Sequence, residues 1–224
     1  MQAMILAAGR GERMGAPTAM TPKPLLNLNG ESLIERQLRR MAAAGVVDVV
    51  INLSYRGEQI RSTVGDGSRF GVRIRYSEEA PGPLETAGGI IQALPLLGDA
   101  PFLVTNADVV SDFDFSGLGS PEDSGTLVLV PNPAHHPAGD YGIDDRLRLN
   151  LDVPRYTFSG ISLLSPALFT GLAPGRRSLG QVFEPAITAG KLSGLMHSGL
   201  WVDVGTPERL ALARRAVAVL DSDV

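Results

Sequence analysis

The feature that most constrains this chain is an apolar run at its start that stops at two closely spaced glycines. Residues 3–7 read Ala-Met-Ile-Leu-Ala, and Gly9 and Gly11 follow. A continuous apolar run of this length is typical of a strand buried on both faces, as in a parallel sheet. The glycines allow the backbone to turn sharply and bring its N–H groups close to an anion. The start of the chain therefore predicts a central strand that leads into a ligand-binding loop.

Helical and extended patterns alternate along the rest of the chain. Ser32 and Glu35 have the spacing of a capping box and predict a helix over residues 33–44. A last helix is predicted after Thr206 as its cap, with Pro207 in the first turn. One further helix is predicted at residues 86–94, and strands at residues 46–53, 72–76, 102–104, 126–130, 147–151, 156–164 and 201–204. Alternating charged residues place the strand at 72–76 on a sheet edge.

This order of elements predicts the fold class and the domain organisation. Strands that alternate with helices favour an α/β fold with a doubly wound, mostly parallel, Rossmann-like sheet. The later strands are expected to form a small additional lobe. Residues 1–224 contain no internal repeat or interdomain linker and are expected to form a single domain.

Composition excludes several classes of function. The formal net charge is −4 and no run of five basic residues occurs, so nucleic acid is not an expected partner. The absence of cysteine excludes a thiolate nucleophile and a cysteine-based zinc site, and it agrees with a cytoplasmic location. The uncharged residues 156–175 are interrupted by proline and glycine, so a membrane span is not expected either.

A local anion site is predicted near the N-terminus of this acidic chain. Arg10, Arg13 and Lys23 against Glu12 leave a charge of +2 within residues 1–25. Arginine binds phosphate as a fork and lysine as a point charge. Met14 stands where a dinucleotide fingerprint needs its third glycine, and no P-loop motif is present. The phosphate site is therefore predicted to be of another type.

Two aspartates are candidate metal ligands. Asp108 follows the strand at 102–104, at the sheet edge where open α/β folds bind ligands. Asp203 lies among apolar residues, where an unpaired charge would be costly, so a cation beside it is expected. The pair His135-His136 adjoins a proline turn in a chain with only three histidines, which favours an ordinary loop over a metal site.

Several of these segments together resemble a known family, the sugar nucleotidyltransferases. Its signature is Leu-Ala-Ala-Gly-x-Gly-x-Arg-Met followed by Pro-Lys-Pro, which residues 6–14 and 22–24 match. The resemblance continues through residues 84–89, 106–108, 156–161 and 201–206. Within the family, the stretch His-His-Pro-x-Gly-Asp at 135–140 is similar to the short bacterial N-acetylmuramate-1-phosphate uridylyltransferases. No hexapeptide-repeat domain, which some relatives carry, is present in these residues.

The resemblance implies a set of site residues and a cofactor. The nucleotide-binding set would be Ala8, Gly9, Gly11, Arg13, Lys23 and Gly88. Within it, Lys23 would touch the α-phosphate and act with Arg13 in catalysis, and Gly88 would lie near the base. The cofactor would be Mg²⁺, held by Asp108 and Asp203, and Asp140 and Gly160 would lie near the sugar, on the side of the small lobe.

The resemblance also implies a reaction, with the substrate pair left open. A sugar 1-phosphate oxygen would attack the α-phosphorus of a nucleoside triphosphate, releasing pyrophosphate and a nucleotide sugar. UTP with N-acetylmuramate 1-phosphate is favoured. The alternatives are a mannose-1-phosphate guanylyltransferase, a glucose-1-phosphate uridylyltransferase, or a nucleotide-sensing module without turnover. The oligomeric state, monomer or dimer, is left open.

Three departures from the family pattern bear on these alternatives. Residues 15–18 read Gly-Ala-Pro-Thr where the family commonly has Arg-Pro-Leu-Thr, and Ala107 replaces the glycine of an Asn-Gly-Asp motif. A Glu-Lys-Pro segment that contacts the sugar phosphate in many relatives is absent between Asp140 and Tyr156. The altered spacer points toward the sensing module, whereas the joint presence of Lys23, Asp108 and Asp203 points toward an enzyme.

Overall fold

A β-sheet forms the centre of the protein, which a computed structural model describes over residues 1–15, 18, 20–79, 82–119 and 124–221. The strands, in chain order, are β1 (Gln2–Leu6), β2 (Asn27–Leu28), β3 (Glu31–Ser32), β4 (Asp48–Leu53), β5 (Arg73–Glu78), β6 (Phe102–Asn106), β7 (Val109–Ser111), β8 (Gly125–Val130), β9 (Gly142–Ile143), β10 (Leu149–Asn150), β11 (Thr157–Leu164), β12 (Leu192–Met196) and β13 (Trp201–Asp203). Seven of them form the central sheet in the order β12-β8-β11-β6-β1-β4-β5.

The central sheet is mostly parallel, as the sequence predicts. β5, β4, β1 and β6 run parallel to their neighbours, and β12 runs parallel to β8. β11 is antiparallel to both β6 and β8, so it alone runs against the other six strands of this sheet. The chain winds from β1 outward to β4 and β5 and then returns to β6 on the other side of β1. This reversal creates a topological switch point between β1 and β6.

Helices cover the sheet and begin at recognisable caps. They are α1 (Leu33–Ala43), α2 (Gly57–Val64), α3 (Glu85–Leu97), α4 (Gly180–Thr188) and α5 (Pro207–Leu220). The capping box of α1 is confirmed, because the Ser32 hydroxyl accepts from the Glu35 N–H and the Glu35 carboxylate accepts from the Ser32 N–H. The cap of α5 is confirmed too, since the Thr206 hydroxyl accepts from the Arg209 N–H. In the part of the chain that the structure describes, no helix combines the length and apolar character that crossing a membrane requires.

Both faces of the first strand are buried, as its unbroken apolar run predicts. Ile5 belongs to the core layer that contains α1, while Met4 belongs to the opposite layer with α3. Neither side chain is exposed to solvent. Burying a side chain of this size contributes about 1.5–3 kcal/mol, so β1 is held firmly from both sides.

Other predictions differ from the structure in informative ways. The strand predicted at 201–204 is present as β13, but it pairs with β7 in a separate two-stranded ribbon. The strand predicted at 147–151 shrinks to the two residues of β10. The segments α2, α4 and β12 were not predicted, because each is short and β12, Leu-Ser-Gly-Leu-Met, contains no β-branched residue. The edge position of β5 is confirmed.

Candidate active site

A cleft opens at the carboxyl ends of β1 and β6, at the switch point of the sheet. Its volume is about 520 Å³, within the range of small-molecule sites. One side is lined by residues 6–13 and by Lys23 and Pro24. The floor includes residues 106–108, and Gly205 contributes from the loop that follows β13. The anion site and one candidate metal ligand that the sequence predicts therefore share one cavity.

The glycine loop is shaped by a left-handed residue and a buried anchor. Gly11 has φ 66°, a conformation that residues with a Cβ adopt reluctantly. A 3₁₀ turn over Glu12–Met14 follows, and the side chain of Met14 is buried. The hydroxyl of Thr18 donates to the carbonyls of Gly11 and Gly15 and thereby closes the loop. Of the altered spacer, Ala16 and Pro17 lie outside the described residues.

Positive charge stands at the mouth of the cleft. Arg10 and Arg13 line it and are solvent-exposed, and neither makes an ion pair within the described residues. Arginines without a carboxylate partner keep their donors available for phosphate oxygens. The structure thus places the predicted basic residues where an anionic ligand would enter.

Lys23 and Asp108 form an ion pair inside the cleft. The Lys23 ammonium donates to Asp108 Oδ2, and the two side chains are only 12% and 26% exposed. Lys23 begins a 3₁₀ turn after Pro22, so its backbone is stiffened where it enters the site. A ligand that carries both phosphate and a metal ion would offer each of these two side chains a new partner of opposite charge.

Asp203 lies beside Asp108 but faces a different partner. β13 pairs with β7 so that Asp203 is opposite Val109, and the Val204 N–H donates to the Asp108 carbonyl at 2.8 Å. The Asp203 carboxylate accepts from Arg209 Nη1, with 2.6 Å to each oxygen. The cation that the sequence argument expects beside Asp203 is therefore present within the chain itself. Sequence reasoning missed Arg209, although a basic residue in the first turn of a helix opposes the helix dipole and is a detectable signal.

A small core beneath α5 holds this part of the site together. It contains Met14 from the glycine loop, Val110 from β7, Val202 from β13 and Leu210 from α5. Because all four elements pack on one cluster, they have fixed relative positions. This fixes Asp203 at the end of β13 and Asp108 just before β7 relative to the glycine loop and to the helix that bears Arg209.

A buried chain of hydrogen bonds, also missed by sequence reasoning, forms the opposite wall. Asn52, at the end of β4, accepts from the Ala7 N–H at 2.7 Å and donates to Glu79 Oε1 at 2.6 Å. Glu79 Oε2 accepts from the Leu84 N–H at 2.8 Å. Asn52 and Glu79 are 3% and 6% exposed, and both line the cleft. Since α3 has no side-chain cap of its own, Glu79 satisfies a backbone donor at its start.

Gly88 lies at a packing contact. A Cβ there would collide with the carbonyl of Gly175 and lie 3.0 Å from the Leu84 Cβ. The Gly88 N–H donates to the Arg177 carbonyl at 3.1 Å. Close approach of α3 to the loop before α4 accounts for a glycine at position 88, and the neighbouring Thr86 lines the cleft. Contact of Gly88 with the base stays a prediction.

The two residues predicted near the sugar also lie outside the lining of the cleft. Gly160, with φ 79°, sits in an irregular stretch of β11 where a Cβ would meet the Asn106 amide at 2.6 Å. Asp140 anchors a loop, because its Oδ1 is 3.1 Å from His136 Nε2 and its Oδ2 accepts from the Phe158 N–H at 2.8 Å. Sugar contact by these residues stays a prediction.

The histidine pair does more than the sequence indicates. His136 binds Asp140 as described above, and His135 Nε2 lies 2.6 Å from Arg209 Nη1 and 3.1 Å from Asp203 Oδ1. The loop around the pair was expected to be an ordinary one, yet it reaches the second aspartate of the site. Next to it, burial raises the pKa of Tyr141 to about 12, and the nearby carboxylates of Asp140 and Glu184 add to the shift.

Asp108, which lines the cleft, and Asp203, whose backbone lies next to it, fit a hard divalent cation better than a soft one. Asp108 and Asp203 offer carboxylate oxygens from neighbouring backbone positions, which suits Mg²⁺. Within the described residues no group of three or more His, Cys, Asp or Glu side chains is placed to hold a metal. Sites that bind Mg²⁺ through one or two carboxylates usually take the remaining ligands from substrate phosphates and water, so two carboxylates are compatible with this ion.

Comparison with known proteins agrees with this geometry. Residues 2–143 match the nucleotidyl transferase family. The chain is 47% identical over 224 residues to the N-acetylmuramate alpha-1-phosphate uridylyltransferase of Neisseria meningitidis serogroup B, covering 96% of this chain and 97% of that protein. It is 32% identical to the mannose-1-phosphate guanyltransferase of Aspergillus fumigatus, covering 93% of this chain but 62% of that protein.

Solved structures show the same fold at low sequence identity. A proposed glucose-1-phosphate thymidylyltransferase from Bacillus anthracis, crystallised with sucrose, superposes with a TM-score of 0.85 at 20% identity, covering 96% of this chain and 95% of that one. HddC from Yersinia pseudotuberculosis, complexed with GMP-PN, gives 0.82 at 22% identity, covering 96% and 99%. Together with the motifs and the matched family, these comparisons show that the chain belongs to the sugar-1-phosphate nucleotidyltransferases.

Proposed function

We propose that this protein transfers UMP from UTP to N-acetylmuramate 1-phosphate, releasing pyrophosphate and a UDP-sugar. The observation that carries the proposed chemistry is the Lys23–Asp108 pair beside the glycine loop, in a cleft at the switch point of the sheet. The substrate pair is supported by the 47% identity, over nearly the whole of both chains, to a uridylyltransferase named for that sugar.

Different residues of the site have different roles in bringing the two anionic substrates together. The glycine loop with Arg10 and Arg13 binds the triphosphate, and Lys23 stabilises the charge that develops on the α-phosphate. Asp108 and Asp203 would hold Mg²⁺, which when bound would supply further stabilisation of that charge. The sugar phosphate is already an anion, so a general base is not needed, and most of the acceleration comes from position and electrostatics.

A second substrate pair, GTP with mannose 1-phosphate, is supported by the 32% identity to a guanyltransferase. A screen of pyrophosphate release separates the two. Four nucleoside triphosphates are each combined with a panel of sugar 1-phosphates that includes both sugars, and kcat/KM is measured. We expect the highest value for UTP with N-acetylmuramate 1-phosphate. A higher value for GTP with mannose 1-phosphate would replace the proposal, and nucleotide binding without any release would indicate a sensing module.

A further inference from the structure

Arg209 occupies an unfavourable position in its helix but makes a favourable contact with the carboxylate of Asp203. It stands in the first turn of α5, where the helix dipole favours acidic residues. Its side chain is 14% exposed and its Nη1 straddles both oxygens of Asp203 at 2.6 Å. A Cβ on Gly205, which lines the cleft, would overlap with Arg209 Nη2. The guanidinium therefore fills the space next to the cleft that the glycine leaves open.

Each candidate metal ligand thus has an internal cation. Asp108 is paired with Lys23 and Asp203 with Arg209. Two carboxylates from neighbouring backbone positions repel one another unless positive charge lies nearby. A divalent ion held by both carboxylates would bring the two positive charges that Lys23 and Arg209 supply in its absence, so both side chains would become available to other anions.

His135 forms a cluster with Asp203 and Arg209, but it cannot hydrogen-bond to both of them at once. His135 Nε2 lies 2.6 Å from a guanidinium nitrogen and 3.1 Å from a carboxylate oxygen. A single ring nitrogen either accepts from the first or donates to the second. Displacement of Arg209 from Asp203 would leave His135 free to donate to the carboxylate, so the cluster has a second satisfied arrangement.

We propose that Arg209 is an exchangeable counter-ion, which neutralises Asp203 in the metal-free protein and binds the phosphate of the sugar 1-phosphate once Mg²⁺ takes that carboxylate. The proposal rests on the proposed function. Arg10 and Arg13 stand on the glycine-loop side of the cleft, whereas Arg209 adjoins it through Gly205, so the two sides offer cations to two different anions. The planar guanidinium of arginine can donate two parallel N–H bonds to two oxygens of one phosphate group.

Metal binding without nucleotide tests the first half of the proposal. Mn²⁺ affinity, measured by electron paramagnetic resonance, is compared among the wild type, Arg209→Met and Arg214→Met. Arg214 is the matched control, because it lies on the same helix but donates to the Asn27 carbonyl, away from the cleft. We expect Arg209→Met to bind Mn²⁺ roughly fivefold more tightly than the wild type, since the competing cation is gone. Arg214→Met should leave the affinity unchanged.

Thermal melting in EDTA and in Mg²⁺ separates exchange from a merely structural role. In EDTA, Arg209→Met should have a lower Tm than the wild type. Adding Mg²⁺ should raise the Tm of the variant more than that of the wild type, so that the difference between them becomes smaller. Equal losses in both conditions, or Mn²⁺ affinity no tighter than that of the wild type, would overturn the proposal. Arg209→Lys, which keeps the charge, should fall between the wild type and Arg209→Met and serves if the methionine variant does not fold.

Kinetics test the second half. Arg209→Met should raise KM for the sugar 1-phosphate about tenfold while KM for the nucleotide changes less than about twofold. An equal rise in the two KM values would overturn the assignment of Arg209 to the phosphate of the sugar. Asp203→Asn identifies which proposal fails. If it weakens Mn²⁺ binding while Arg209→Met does not strengthen it, only the counter-ion is wrong. If Asp203→Asn leaves Mn²⁺ binding unchanged, the metal site of the proposed function is wrong as well.

Discussion

The hydrogen-bond chain through Asn52 and Glu79 leads to a specific prediction about stability, because the structure determines the direction of each bond. Both ends of the chain are backbone N–H groups, those of Ala7 and Leu84, so the direction of every bond is determined. The Asn52 oxygen must face Ala7, and its amide nitrogen must therefore face Glu79. Glu79 consequently has to accept with both oxygens.

The substitution Glu79→Gln breaks this arrangement without changing size. A glutamine offers one oxygen and one NH₂ group, so one of the two donors, from Asn52 or Leu84, meets another donor. Leaving one buried donor unsatisfied costs about 1–3 kcal/mol. In a protein of 224 residues each kcal/mol shifts Tm by about 2–4 °C, so a cost of about 2 kcal/mol lowers Tm by about 4–8 °C.

The neighbouring residue provides a matched control. Glu78 pairs with Arg61, but its side chain is 58% exposed. An exposed ion pair contributes about 0–1 kcal/mol, so Glu78→Gln should melt close to the wild type. Scanning calorimetry and urea unfolding of both variants measure the difference. If the two variants lose stability to within about 0.5 kcal/mol of each other, Glu79 does not carry the buried bonds assigned to it.

A compensating change tests the direction of the bonds. In Asn52→Asp combined with Glu79→Gln, the new aspartate accepts from Ala7 and from the new amide, whose oxygen accepts from Leu84, so three bonds are restored. We expect the double variant to be more stable than Glu79→Gln alone, whereas Asn52→Asp alone should be destabilised by two facing acceptors. A double variant no more stable than Glu79→Gln would refute the reasoning.

Three further predictions concern the site and its surroundings. Lys23→Ala should lower kcat roughly 100-fold or more with little change in Tm. Removing the exposed Lys191, the only other lysine of the chain, should leave kcat unchanged. A normal rate with a lowered Tm in Lys23→Ala would show that Lys23 is structural. Asp108→Asn and Asp203→Asn should each raise the Mg²⁺ concentration needed for half-maximal activity far more than they lower Tm, and an unchanged Mg²⁺ requirement would contradict the metal assignment. Because burial raises the folded-state pKa of Tyr141 from 10.0 to about 12, the stability linked to its neutral form is complete below pH 10 and is lost as the pH rises toward 12. Tyr141→Phe should decline less over that interval in urea unfolding, and a curve parallel to that of the wild type would show that the hydroxyl is not buried as described.

The local parts of this protein could be predicted from its amino-acid sequence alone. The strand β1, its glycine loop, the capping box of α1 and the cap of α5 depend on residues a few positions apart, whose periodicity and side-chain chemistry act within one turn or one strand. The position of Asp108 at the end of a buried strand was predictable for the same reason. The signature at residues 6–14 and 22–24 indicated the reaction class through its resemblance to a known family.

Contacts between groups far apart in the sequence became visible only in the folded protein. Asn52 and Glu79 are 27 positions apart and join because β4 and β5 are parallel neighbours whose ends lie at one sheet edge. Asp203 comes beside Asp108 through the pairing of β13 with β7, a ribbon that periodicity cannot place. The motif predicts that Gly88 lies near the base, and the structure adds that a loop near residue 175 leaves no room there for a side chain. Register and packing between segments far apart in the chain depend on the whole core, so no local pattern contains them.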